Sequence, residues 1–149
     1  MLSLRVGRVG PASVIFSMLL LLISCTFIGG YNADAHQNLT SLKAAHIKMI
    51  NDVTAAPGHV YDRHEFDAAV DSLELKFQEA IEFSRSLNEQ WRTANIMILH
   101  SIFSDDVEAI RRGRYVLSRE QANRMRDVSG PAYDRAIIGE CAHPEAKCK

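Results

Sequence analysis

The chemical resource of this sequence is its six histidines. His46 and His100 fall on apolar helical faces. His46 stands three residues before Met49. His100 stands three after Met97 and three before Phe103. Imidazole with thioether sulfur suits copper, and two imidazoles with a carboxylate suit zinc or nickel. His46, His100, Met49 and Met97 are therefore the candidate ligands of a transition metal. The alternative is a pair of core histidines, each hydrogen-bonded to one neighbour, because a buried polar side chain must find a partner. His59, Asp62 and His64 form a second cluster, in which Asp62 is equally suited to cap a helix. Asp105, Asp106 and Glu108 read as a solvated helical face.

Catalytic signatures do not accompany these residues. There is no Gly-x-Ser-x-Gly elbow, no phosphate loop and no dinucleotide fingerprint. Cys141-Ala142-His143 is not the Cys-x-x-Cys-His of haem attachment. The reading is a binding protein rather than an enzyme, with no cofactor beyond the possible metal. Metal binding or sensing is the alternative function, and an enzyme of unknown class the next.

Helices must position the histidines. Apolar residues recur at helical spacing almost throughout, and between His36 and Arg135 the only prolines are Pro57 and Pro131. A first helix is expected from Leu39 to Val53, with Leu39, Leu42, His46, Met49 and Val53 as its stripe. Ala55-Ala56-Pro57-Gly58 ends it. A second starts at Asp62 and carries Phe66, Val70, Leu73, Phe77 and Ile81. A third is expected from Ser86, capped with Glu89, to Arg111-Arg112-Gly113, where the glycine suits a left-handed cap. Ile96 to Leu99 is apolar on every side, so this helix should be the most buried, with Trp91 and Ile98 in the core. A fourth begins at Ser118 with Gln121 as reciprocal cap, and Ser129-Gly130-Pro131 should break or kink it. Short connections make neighbours antiparallel, giving an all-α up-down bundle of about four helices. Helices 1 and 3 then lie on a diagonal, with His46 and His100 both near mid-height.

The first 35 residues have another character. Arg5 and Arg8 precede an apolar run from Ala12 to Ile28, whose unbroken core, Val14 to Ile23, is short for a spanning helix of ~20 residues. This pattern reads as an export signal. Ala33-Asp34-Ala35 is a small-x-small cleavage site that would start the product at His36. Leu22-Ile23-Ser24-Cys25 resembles the lipobox of bacterial lipoproteins, and that resemblance implies a lipidated Cys25. Domain bounds of 1–35 for the signal, with any tether, and 36–149 for the bundle follow. The expected location is periplasmic or outer-envelope, lipid-anchored or soluble. In an oxidising compartment the remaining pair, Cys141 and Cys148, suggests a disulfide, worth the low end of ~2–4 kcal/mol because its loop is short.

Removing residues 1–35 leaves 15 basic against 17 acidic side chains. Such a balance carries no basic footprint for nucleic acid. The expected partners are another envelope protein, or an exposed apolar segment of one, and the membrane if Cys25 is lipidated. Ala44, Ile47 and Leu75 read as surface apolar residues off the main stripes and are the hints of a docking face.

Leu117-Ser118-Arg119-Glu120-Gln121 is similar to the LTxxQ motif of small periplasmic helical proteins, among them envelope-stress chaperones of the Spy and CpxP type and related heavy-metal-resistance sensors. Pro131-Ala132-Tyr133-Asp134-Arg135 is similar to a C-terminal segment of the nickel and cobalt sensors. The resemblance covers about twenty residues of one helix and implies a role in envelope stress or metal handling, without catalysis. The sensors' paired His-x-x-x-His ligands are absent.

Mass spectrometry of the native product tests the export reading. The expected outcome is loss of Met1, with either a diacylglyceryl mass on Cys25 or a start at His36; an intact Met1 overturns it.

Overall fold

In the computed structural model, residues 30–56 and 61–141 are described. They form four helices: α1 (Ala33–Asp52), α2 (Arg63–Ser86), α3 (Gln90–Arg112) and α4 (Arg119–Cys141). α1 lies against α2 and α4, and α3 lies against the same two, so α1 and α3 face each other across a diagonal. The chain is an all-α antiparallel bundle. Its least intimate seam is the one between α3 and α4.

The ends of the helices follow local chemistry. α1 begins six residues before Leu39, because the Asn32 side chain accepts hydrogen bonds from the N–H groups of Asp34 and Ala35 at 3.0 and 2.9 Å. Such a cap is worth about 1 kcal/mol. Ala35 is buried, and the compact unit begins at Tyr31. The Ala33-Asp34-Ala35 site therefore lies within the first turn of α1. Asp62 caps α2 by accepting from the His64 N–H at 2.7 Å. α2 then runs through Ser86, so the expected Ser86–Glu89 capping box does not form. Ser86 donates to the Phe83 carbonyl, and Glu89 pairs with Arg92 instead. The capping box of α4 is reciprocal. The Ser118 N–H donates to Gln121 Oε1 at 2.8 Å, and the Gln121 N–H donates to Ser118 Oγ at 3.2 Å. The motif at Leu117–Gln121 thus has a local physical role as a helix start.

Two expectations fail for identifiable reasons. α4 does not break at Pro131. A proline inside a helix costs ~3 kcal/mol or more. However, Ala122, Ser129, Tyr133, Ala136 and Glu140 form one buried stripe on both sides of it. Breaking the helix would forfeit that burial, at ~1.5–3 kcal/mol for a large side chain alone. Gly113 is not left-handed, having φ −74. Arg114 and Tyr115 take the positive φ values, 57 and 68. Their strain is offset by packing. Tyr115 stacks on Tyr61 at 5.7 Å, meets Phe66 edge-on, and carries the Arg63 guanidinium over its ring. The loops at this end are tied by two hydrogen bonds, from the Ala55 N–H to the Leu117 carbonyl and from the Leu117 N–H to the Val53 carbonyl, both 2.8 Å.

The core joins the whole α1 stripe to Phe66, Val70, Leu73 and Phe77 of α2, and to Phe103 and Ile110 of α3. Within the Ile96–Leu99 run, Ile96 and Leu99 are buried, whereas Met97 is 53% and Ile98 59% exposed. The expectation that Ile98 is core is therefore overturned. Arg92, Ile96, Leu99, Phe103, Val107 and Ile110 already occupy the inward face of α3, and successive residues turn away by a helical step. Trp91 is half-buried. Chemical denaturation should accordingly show Leu99→Ala losing ~2–5 kcal/mol and Ile98→Ala changing stability by no more than ~0.5 kcal/mol. A large loss for Ile98→Ala would contradict this packing.

Candidate functional site

A polar cluster sits at the centre of the bundle, built from three helices. His46 of α1 is wholly buried. Its Nδ1 is 3.3 Å from the Tyr133 hydroxyl of α4. Its Nε2 is 3.2 Å from Asp106 Oδ2 of α3, without the geometry of a well-formed hydrogen bond. The same Oδ2 accepts from Ser129 Oγ of α4 at 2.8 Å. Asp106 is 13% exposed, so the cluster touches solvent at one edge. A carboxylate only accepts, and a neutral imidazole has one donor and one acceptor nitrogen. Neutral His46 fits this shell in one tautomer: Nε2–H faces Asp106, and Nδ1 accepts from the Tyr133 hydroxyl. Burial first, and the Asp106 carboxylate second, push Tyr133 above the usual tyrosine range, so it stays a neutral donor.

The candidate metal ligands separate. His46 and Met49 are buried on α1. His100 is half-exposed and pairs with Glu74 of α2, Nε2 to Oε2 at 2.7 Å. Phe103 lies beside both imidazoles, with centroids 5.3 Å from His46 and 6.2 Å from His100. Met97 faces solvent. Among the described residues no three His, Cys, Asp or Glu side chains are grouped to hold a metal. Of the second cluster, Asp62 caps α2 and His64 is exposed, while His59 lies outside the described residues.

A second buried cluster closes one end of the bundle. Arg92 donates to Glu140 in bidentate fashion, Nε to Oε1 at 2.7 Å and Nη2 to Oε2 at 2.8 Å, and both side chains are buried. Glu89 is the second carboxylate against Arg92, whose guanidinium also lies 4.8 Å from the Trp91 ring centroid. The next residue after Glu140 is Cys141, which is disulfide-bonded. Cys148 and Cys25 lie outside the described residues.

The surface carries a broad groove of about 710 Å³ between α1 and α4. Ala44, Ile47 and Ile137 supply its apolar lining, and Lys43 crosses to Asp134 at 2.5 Å. Ala44 and Ile47, read from the sequence as surface apolar residues, are thus brought together with Ile137; Leu75 stands apart, exposed on α2. A smaller groove of about 290 Å³ between α3 and α4 is lined by Ile98, Ile102 and Ala132. α4 itself exposes Val128 and Ile138. Among the described residues no helix is long and apolar enough to cross a membrane.

No family model, curated protein or solved structure matches this chain.

Sequence reasoning missed Asp106, Ser129, Tyr133, Arg92 and Glu140 as structural polar residues. A signal was present. Asp106 is three residues after Phe103, on the inward face, and Arg92 and Glu140 each continue a core stripe by one turn. By type alone, Asp106 reads as solvated and Ser129 as part of a breaker.

Tyr133→Phe tests the central cluster. At neutral pH it should cost ~1–3 kcal/mol, because His46 Nδ1 loses its donor. In the wild type the unfolded chain ionises this tyrosine above about pH 10 while the folded chain keeps it neutral, so stability falls from there upward. Tyr61, pushed up to about 12 chiefly by burial, contributes in the same direction. Urea unfolding across pH 8–11 should therefore show a shallower decline in Tyr133→Phe. Parallel declines would remove the hydroxyl from the account.

Proposed function

We propose that this protein is an exported, lipid-anchored helical bundle that binds an apolar segment of another envelope protein in its α1–α4 groove, as a partner-binding or chaperone-like module. The observation that carries this reading is the groove itself, in which Ala44 and the half-buried Ile47 and Ile137 lie among Lys43, Lys48, Asp52 and Asp134. Exposed apolar surface with a polar rim is the physical mark of a docking site. Of the histidines, His46 is sealed in the core, which suits a structural role better than contact with a substrate.

Anchoring through Cys25 is supported by the start of α1. Cleavage after Ala35 would remove the Asn32 cap and a buried alanine. Cleavage before Cys25 keeps both.

The test is suppression of aggregation of a denatured model protein by the purified bundle. Wild type should suppress it, and Ile47→Glu should weaken the effect severalfold. Leu75→Glu, on α2, should leave it unchanged. Equal activity in all three would overturn the groove as the site. Calorimetry with Cu, Zn, Ni and Co addresses the metal reading, and stoichiometric binding lost in His46→Ala would put that reading first.

A further inference from the structure

α3 and α4 present a second two-helix face, on the other side of α4 from the groove described above. Ile98, Ile102 and Asp105 recur at helical spacing along α3, and Val128, Ala132 and Arg135 along α4. The Arg92–Glu140 and Asp106–Ser129 pairs fix the register of the two helices. That register sets Arg135 beside Ile98, where both line the smaller groove with Ile102 and Ala132. It also sets Val128 level with Asp105. Ile98 and Val128 are each 59% exposed. Asp105 and Arg135 are exposed too, and neither has a partner among the described residues.

The charges of this face say what covers it. Asp105 and Arg135 have opposite signs and stand on either side of Ile102 and Ala132. A two-fold axis laid across the helices reverses their direction, so a residue on one side of the axis meets a residue from the other side. With the axis between Ile98 and Ile102, Ile98 of one copy meets Ile102 of the other. Arg135 then comes within one helical turn of the level of Asp105 of the other copy. The face is therefore complementary to itself. The α1–α4 groove lacks this property, because Lys43 is joined to Asp134 and Lys48 to Asp52. The α2–α3 side also exposes Leu75 and Met97, but the charges spanning its seam are already joined, His100 to Glu74 and Arg111 to Asp67. α3 and α4 have 23 residues each. Two helices of that length, about 34 Å, packed ~8–10 Å apart offer on the order of 600 Å² a copy. The roughly 1,200 Å² buried in a pair is the low end for a specific interface and suits a dimer that exchanges. We infer that two copies of this chain associate through their α3–α4 faces about a two-fold axis, with Arg135 of each paired to Asp105 of the other and both α1–α4 grooves left open.

Sedimentation equilibrium of the full native product, in density-matched nonionic detergent, reads the mass of the assembly. The expected result is a dimer at about 100 μM chain that dissociates on dilution to about 1 μM, as the size of the face implies. Asp105→Arg and Arg135→Asp, each alone, bring like charges together and should weaken the dimer at least tenfold. The double variant Asp105→Arg/Arg135→Asp rebuilds the pair with its signs exchanged and should recover the wild-type dissociation constant. Helical circular dichroism should stay unchanged in every variant, since both positions are exposed. A wild-type monomer at the higher concentration overturns the inference. So does a dimer that the single variants leave as tight, or one that the double variant fails to recover.

Discussion

One buried imidazole governs the geometry of this bundle. His46 has two nitrogens, and each is met by a different helix: Asp106 comes from α3 and Tyr133 from α4. Ser129 then joins α4 back to Asp106. The arrangement tolerates little adjustment. Turning α4 by one residue would move Ser129 and Tyr133 off the core together. Stranding a buried polar group costs ~1–3 kcal/mol, a large share of the ~5–15 kcal/mol by which domains are stable. The contacts of Tyr133 with His46 and of Ser129 with Asp106 therefore favour the observed register of α1, α3 and α4.

The second cluster does the same work at one end. A bidentate Arg92–Glu140 pair joins α3 to α4, with Glu89 at the start of α3 on the same guanidinium. These are the two helices with the least intimate seam. Polar bonds therefore hold α3 to α4 at mid-height and at the end, while Ile98 and Ile102 remain at the surface between them. The apolar surface beside α4 follows from this division of labour. The core is closed by α1, α2 and the inward faces of α3 and α4, with Ile47, Ala132 and Ile137 packed half-buried against it.

The helices and their stripes were legible in the sequence because periodicity is a local property. Leu39, Leu42, His46, Met49 and Val53 all lie on the buried face, and the Ser118–Gln121 box forms as its spacing implies. Less legible were the places where a local preference competes with burial. Pro131 has the local signature of a break, yet the stripe from Ala122 to Glu140 runs through it. Ser86 has the signature of a helix start, yet Glu89 has a stronger partner in Arg92. Gly113 has the signature of a left-handed cap, yet the aromatic packing of Tyr115 carries the positive φ one step further.

For the candidate site the boundary is sharper. Sequence alone determined that His46 faces inward, that four amphipathic helices form, and that Ala44 and Ile47 lie off the main stripe. Tertiary structure decided which partner each polar group takes. His46 could pair with His100 through a metal or with neighbours of its own, and the fold brings it Asp106 and Tyr133 while giving His100 to Glu74. The physical reason is that helical periodicity specifies direction around one axis, whereas a hydrogen bond or an ion pair depends on the distance between two. That distance exists only once the helices are packed.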